Sequence, residues 1–119
     1  MEDSERVALY RLHAGFCKTL ADASRLLILN ELAGGEASVG DLARRLALGQ
    51  SNVSKHLALM REHGLVVARR EGASVFYALS DPRIFQAVRL LRDVQADQLE
   101  RQRAIAHAGS LVPVGGQEA

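Results

Sequence analysis

The stretch Gln50-Ser51-Asn52-Val53-Ser54-Lys55-His56-Leu57-Ala58-Leu59-Met60-Arg61 decides how this chain folds. Val53, Leu57 and Met60 recur at spacings of four and three, so on a helix they share one face, and that face requires burial. Gln50, Ser51, Asn52, Ser54, Lys55 and His56 supply amides, hydroxyls, a cation and an imidazole to the first turns. Such groups suit the base edges and phosphates of a major groove, and the N-terminal residues of a recognition helix are the ones that reach base edges. Leu48-Gly49 punctuates the start, where Ser51 is placed to accept from the first free backbone N–H groups. Gly64 follows Arg61-Glu62-His63, where a left-handed helix stop belongs.

Upstream, Ser38-Val39-Gly40-Asp41-Leu42-Ala43-Arg44-Arg45-Leu46 has a capping serine, an aspartate three residues later and apolar residues at helical spacing. This predicts a short helix and, with the one above, a pair joined by a tight turn. Downstream, residues 65–70 and 73–79 are rich in branched and aromatic side chains and meet around Glu71-Gly72, which predicts a hairpin, or wing.

Working outward, residues 5–20 form a predicted first helix with Val7, Leu9 or Tyr10, Leu12, Phe16 and Leu20 as a packing stripe. Asp22 is placed to cap a second helix over 23–32, whose Leu26, Leu27, Leu29 and Leu32 are expected in the core, with Gly34-Gly35 as its stop. Arg25 is expected to be structural, held by a carboxylate or the surface. Ser80-Asp81-Pro82 opens a last helix carrying Ile84, Ala87, Val88, Leu91, Val94 and Leu99. Its apolar spacing outruns what one small domain needs for its own core, which predicts a partner helix from a second copy.

These elements make the fold mainly α with a small β-hairpin (α+β), a winged helix-turn-helix in the order α-α-α-α-β-β-α. One DNA-binding and dimerisation domain is expected over residues 5–105. Residues 109–119 lack periodicity and are expected to form a flexible tail.

At 119 residues, 48% hydrophobic and 24% charged, the chain has the composition of a single globular domain. No apolar run approaches the roughly 18 to 20 residues that span a bilayer, and the acidic start Met1-Glu2-Asp3-Ser4-Glu5 lacks the regions of a signal peptide. With one cysteine and no internal disulfide to form, the expected location is cytoplasmic. The net charge of +1 says little about partners, but from residue 42 to 71 six basic residues (Arg44, Arg45, Lys55, Arg61, Arg69, Arg70) face two acidic ones, a local excess of +4. Joined to the helix-turn-helix layout, that excess predicts a phosphate-contacting surface, with Arg69, Arg70 and Ser74 of the wing near the minor groove or backbone. The chain has no phosphate-cradling glycine loop, nucleophile elbow or paired-histidine zinc motif, so no enzyme is expected.

Four ordered blocks are similar to the ArsR/SmtB family of winged-helix bacterial repressors. They are Leu20-Ala21-Asp22-Ala23-Ser24-Arg25-Leu26-Leu27-Ile28-Leu29, Gln50 to Leu57, Glu62-His63-Gly64-Leu65-Val66, and Arg69-Arg70-Glu71-Gly72 running on to Tyr77. Alanine at 23 replaces the usual proline and equally suits a first helical turn. The resemblance implies a homodimer through the first and last helices that represses from an inverted-repeat operator, and release by a small inducer. An inducer-independent repressor, or a non-specific architectural DNA protein, are the alternatives.

Family members that sense soft metals use two cysteines flanking a valine at the start of the third helix. Ser38 and Gly40 stand there in this chain and offer no thiolate. Other members bind zinc between their last helices. Asp93, Asp97 and Glu100 lie in that region here, but His107 is its only histidine and the spacing is not met, so no metal or other cofactor is expected. Cys17, four residues after His13, is the remaining sensor candidate. One reading is a thiol switch or a two-ligand contribution to a shared metal, and the other is a small apolar residue buried beside Phe16.

Overall fold

Eleven buried apolar residues from α2, β1, α3, α4 and the start of the hairpin form one cluster, and the rest of the fold is arranged to bring them together. The computed structural model describes residues 2–111. In chain order the elements are α1 (Asp3–Leu20), α2 (Ala23–Leu32), β1 (Ala37–Ser38), α3 (Val39–Leu46), α4 (Gln50–Glu62), β2 (Val66–Glu71), β3 (Ser74–Leu79) and α5 (Pro82–Leu111). They divide into two compact units, one running to Phe85 and one starting at Gln86. The first unit is a winged helix-turn-helix.

Val53, Leu57 and Met60 of α4 are completely buried, as their spacing predicts. They meet Ile28, Leu29 and Leu32 of α2, Leu42 and Ala43 of α3, Ala37, Leu65 and Val66. Each large side chain so enclosed contributes about 1.5–3 kcal/mol. In α2 the inward face differs from the expected one: Leu26 and Leu27 are exposed, and Ile28 takes their place. Four consecutive apolar residues, 26–29, wrap the whole helix, so local periodicity cannot choose a side. Packing against the buried residues of α3 and α4 chooses it.

The caps are partly as expected. Asp22 accepts from the Arg25 amide at 3.1 Å, and Ser38 Oγ accepts from the Asp41 amide at 3.1 Å. Asp41 gives its carboxylate to Arg44, at 2.8 Å, one turn on. Helix α4 is capped by Gly49 and takes no side-chain cap, so Ser51, expected as the cap, falls inside the first turn with its hydroxyl exposed. The turn before it depends on Ala47, which ends α3 in the left-handed region (φ 55°, ψ 43°) with its amide donating back into α3. Gly64 closes α4 at φ 78°, the left-handed stop that its position predicts.

The hairpin pairs Val66 with Leu79 through to Glu71 with Ser74, leaving Gly72 and Ala73 as a two-residue turn with Gly72 at φ 63°. Ser80 fastens its base, its hydroxyl 2.7 Å from the Gly64 carbonyl oxygen and its amide donating to Leu65 at 3.0 Å. One strand was not expected. Ala37 and Ser38 pair with Tyr77 and Phe76, giving a sheet ordered β1-β3-β2 and an element order α-α-β-α-α-β-β-α. Two residues are too few to show alternation in sequence.

Only Phe16 and Leu20 of the α1 stripe pack against the core. Val7, Leu9, Tyr10 and Leu12 are at least half exposed, so most of that predicted packing face is bare in the single chain. In α5, Leu90, Leu91, Val94, Leu99 and Ile105 are exposed. Helix α5 continues through Gly109 to Leu111, residues that composition assigns to a tail. The rest of that expected tail, 112–119, lies outside the described residues. Among the described residues no helix is long and apolar enough to cross a membrane.

A left-handed alanine costs about 1–2 kcal/mol, and glycine's greater freedom when unfolded returns roughly half of that. Ala47→Gly is therefore expected to stabilise the protein by about 0.5–1 kcal/mol, read as a higher urea midpoint at unchanged slope.

Candidate nucleic-acid interface

Burial of Val53, Leu57 and Met60 turns the opposite side of α4 to solvent. Ser51, Asn52, Ser54 and Lys55 are exposed there, on the first two turns, and Gln50, although on the buried stripe, is exposed as the first residue of the helix. With no side-chain cap at Gly49, the first backbone N–H groups of α4 are also left for an external acceptor, at the positive end of the helix dipole. The Gln50 side chain reaches back over Gly40 of α3, its amide nitrogen 3.7 Å from where a Cβ on that glycine would stand, an ordinary contact distance.

His56 differs from its neighbours. It is half-buried, with Nδ1 lying 3.3 Å from Nη1 of Arg25. A guanidinium carries only donors, so Nδ1 is the acceptor and the neutral ring holds its proton on Nε2. Arg25 Nε also donates to the carbonyl of Thr19, and the Arg25 amide donates to Asp22. Asp22 is held below the ordinary carboxylate range chiefly by that amide, with the charge of Arg25 acting in the same direction. Arg25 thus connects the end of α1, the cap of α2 and α4. Its partners are a carbonyl and an imidazole, where a carboxylate or the surface was expected.

The wing's charges are distributed unevenly. Arg69 gives Nη2 and Nε to the two carboxylate oxygens of Glu36, at 2.5 and 3.2 Å, and its Nη1 lies 3.6 Å from Glu71. Its guanidinium also stacks 5.1 Å from the centre of the Phe76 ring. Glu36 is held below its usual range and Arg69 above its own, in each case chiefly by the hydrogen bond to the other. Arg70 and Ser74 are exposed nearer the turn.

Arg44 is likewise paired with Asp41, and Arg45 with Glu31 at 3.8 Å. Of the six basic residues between 42 and 71, Lys55, Arg61 and Arg70 have no carboxylate partner among the described residues. The local excess also shrinks from +4 to +2 once Glu36 and Asp41, which lie just before that window, are included. Distance along the chain hid both Glu36 and Arg25, since their partners lie 33 and 31 residues away.

Cys17 is exposed, as is His13 one turn earlier on α1, so the reading of Cys17 as a buried apolar residue does not hold in the single chain. Among the described residues no group of three or more His, Cys, Asp or Glu side chains could hold a metal ion.

The family described as bacterial regulatory protein, arsR family, matches residues 22–67, from the cap of α2 into the first strand of the wing. The transcriptional activator HlyU of Vibrio cholerae is 45% identical over 83 residues, 68% of this chain and 77% of that protein. Among solved structures, the homodimeric winged helix-turn-helix DNA-binding domain of a Mycobacterium bovis protein aligns with a TM-score of 0.72 at 32% identity, covering 82% of this chain and 93% of that one. The transcriptional repressor BigR of Xylella fastidiosa aligns with a TM-score of 0.67 at 32% identity, covering 79% and 96%.

Arg25→Ala removes charged hydrogen bonds to Thr19 and His56, each worth roughly 1.5–3 kcal/mol, so a loss of at least about 2 kcal/mol is expected in thermal or urea unfolding. Nitrogen chemical shifts should place the His56 proton on Nε2 in the parent and show mixed tautomers in the variant. Unchanged shifts would count against the contact.

Proposed function

This chain belongs to the arsR family of bacterial regulatory proteins, and from that premise we propose that it is a homodimeric, sequence-specific transcriptional repressor acting at an inverted-repeat operator. The observation that carries the proposal is the division of α4, with a fully buried apolar face set against an exposed face of Ser51, Asn52, Ser54 and Lys55, and Gln50 exposed as the first residue of the helix. These side chains would enter the major groove, where amides make paired contacts to adenine and Lys55 meets a phosphate or guanine. His56, with its proton on Nε2, would offer a donor at the edge of that face. Arg70 and Ser74 of the wing, with Arg69 further along the strand, would lie against the backbone or minor groove.

Dimerisation is supported by the bare apolar residues on α1 and on α5, which a second copy would cover, and by the homodimeric state of the M. bovis relative. A two-fold pair of recognition helices then reads half-sites about one helical turn of DNA apart. Repression follows from occlusion of the promoter and is supported by the likeness to BigR. The likeness to HlyU, named an activator, favours a second reading in which the same binding displaces a competing protein and raises transcription.

For release, the proposal assigns Cys17, with His13 beside it, as the site of a thiol-reactive inducer. Cys17 is exposed in the single chain and lies on a helix assigned to the dimer contact, so a change at its thiol would be coupled to the spacing of the two recognition helices. Diamide is expected to weaken operator binding in the parent and leave Cys17→Ser unaffected. Equal responses would remove Cys17 from the proposal and leave an inducer-independent repressor.

The binding reading is tested by fluorescence anisotropy with the protein's own upstream DNA against scrambled duplex. Lys55→Ala should weaken both and lower the salt slope by about 0.9, as for one lost phosphate contact. Asn52→Ala should cost roughly 1–3 kcal/mol on the operator, concentrated at one base pair. Equal affinity of the parent for operator and scrambled duplex would favour an architectural protein.

A further inference from the structure

We propose that Glu36 is an internal stand-in for a DNA phosphate, holding Arg69 of the wing in the free protein and exchanging it for the DNA backbone on binding. This rests on the DNA-binding reading above and adds to it a residue that attenuates affinity without itself touching DNA.

The guanidinium of Arg69 meets Glu36 as a fork, with two nitrogens on two oxygens. A phosphate presents the same pair of oxygens to the same two donors, so one anion can replace the other without a change in the arginine. The sheet supplies the geometry. Ser38 lies opposite Phe76 and Phe76 opposite Arg69, so Glu36, two residues before Ser38, falls on the same face of the sheet as the arginine. The Phe76 ring, 5.1 Å from the guanidinium, gives Arg69 a perch that does not depend on which anion it faces.

The exposure of the pair permits exchange. The two side chains are 49% and 43% exposed, and a pair so open to water is weak and screened by salt. Charge makes exchange necessary: with Glu71 3.6 Å away, one arginine is surrounded by two carboxylates and the cluster carries a net negative charge. In that state this part of the wing repels a phosphate backbone. Once Arg69 turns to phosphate, the cation released from the DNA is matched by one taken up at Glu36. Arg69 then adds a contact with almost no salt signature, unlike Lys55.

The test uses the full chain, anisotropy titrations of operator and scrambled duplex over a range of salt, and thermal melts of every variant. Glu36→Gln is expected to tighten binding roughly three- to tenfold near 100 mM salt and to steepen the salt slope by about 0.9, one full phosphate contact. Arg69→Gln alone should weaken binding with little change in slope, whereas in the Glu36→Gln background it should remove the added slope. An equal gain from Glu36→Gln with or without Arg69 would make Glu36 only a distant charge. A lower melting temperature with no gain in affinity would make the pair a structural latch, and either result overturns the proposal. A parent protein that binds neither duplex would instead strike at the DNA-binding reading and carry this one down with it.

Discussion

The fold depends on the burial of one face of α4. Val53, Leu57 and Met60 each retain no accessible surface, and the helix cannot rotate about its axis without exposing one of them. Because α-helical side chains leave the axis at fixed angles, burying these three also fixes which residues point away. Asn52 and Lys55 are exposed for that reason, and no feature of their own chemistry is needed to place them. The polar face of α4 is thus a by-product of core packing and takes its rigidity from that packing.

Around that helix, half of the basic residues between positions 42 and 71 are engaged internally. Arg44, Arg45 and Arg69 each hold a carboxylate, and Arg25 holds a carbonyl and an imidazole. Exposed pairs of this kind contribute little to stability individually, with typical values of about 0–1 kcal/mol. Their larger effect is on the field the protein presents. Between residues 42 and 71 only Lys55, Arg61 and Arg70 are left without a carboxylate partner among the described residues, so the outward positive field there is modest.

Size imposes the other constraint. A single domain of this length has a small core, and the first half of α1 and much of α5 keep large apolar side chains in water. Tyr10 and Leu12 are 67% and 70% exposed, well beyond what isolated surface residues of a monomer require. In the homodimer proposed above a second copy would cover such residues, which accounts for apolar periodicity that extends past the core.

Much of this was legible in the residues themselves because the physics involved is local. Helical spacing identified the buried face of α4, Asp22 and Ser38 identified two caps, Gly64 a left-handed stop, and Glu71-Gly72 the hairpin turn, each within a few residues of its partner. The polar face of α4 was legible by subtraction from the buried one. What only the tertiary structure decided lies between distant residues or where local patterns are ambiguous. Residues 26–29 are apolar all round their helix, so the choice of Ile28 came from packing. β1 is two residues long and exists because β3 passes beside it. Whether Cys17 faces water depends on what α1 packs against. Arg69 and His56 read as free groups until Glu36 and Arg25 are brought beside them by the fold, across separations that no window along the chain spans.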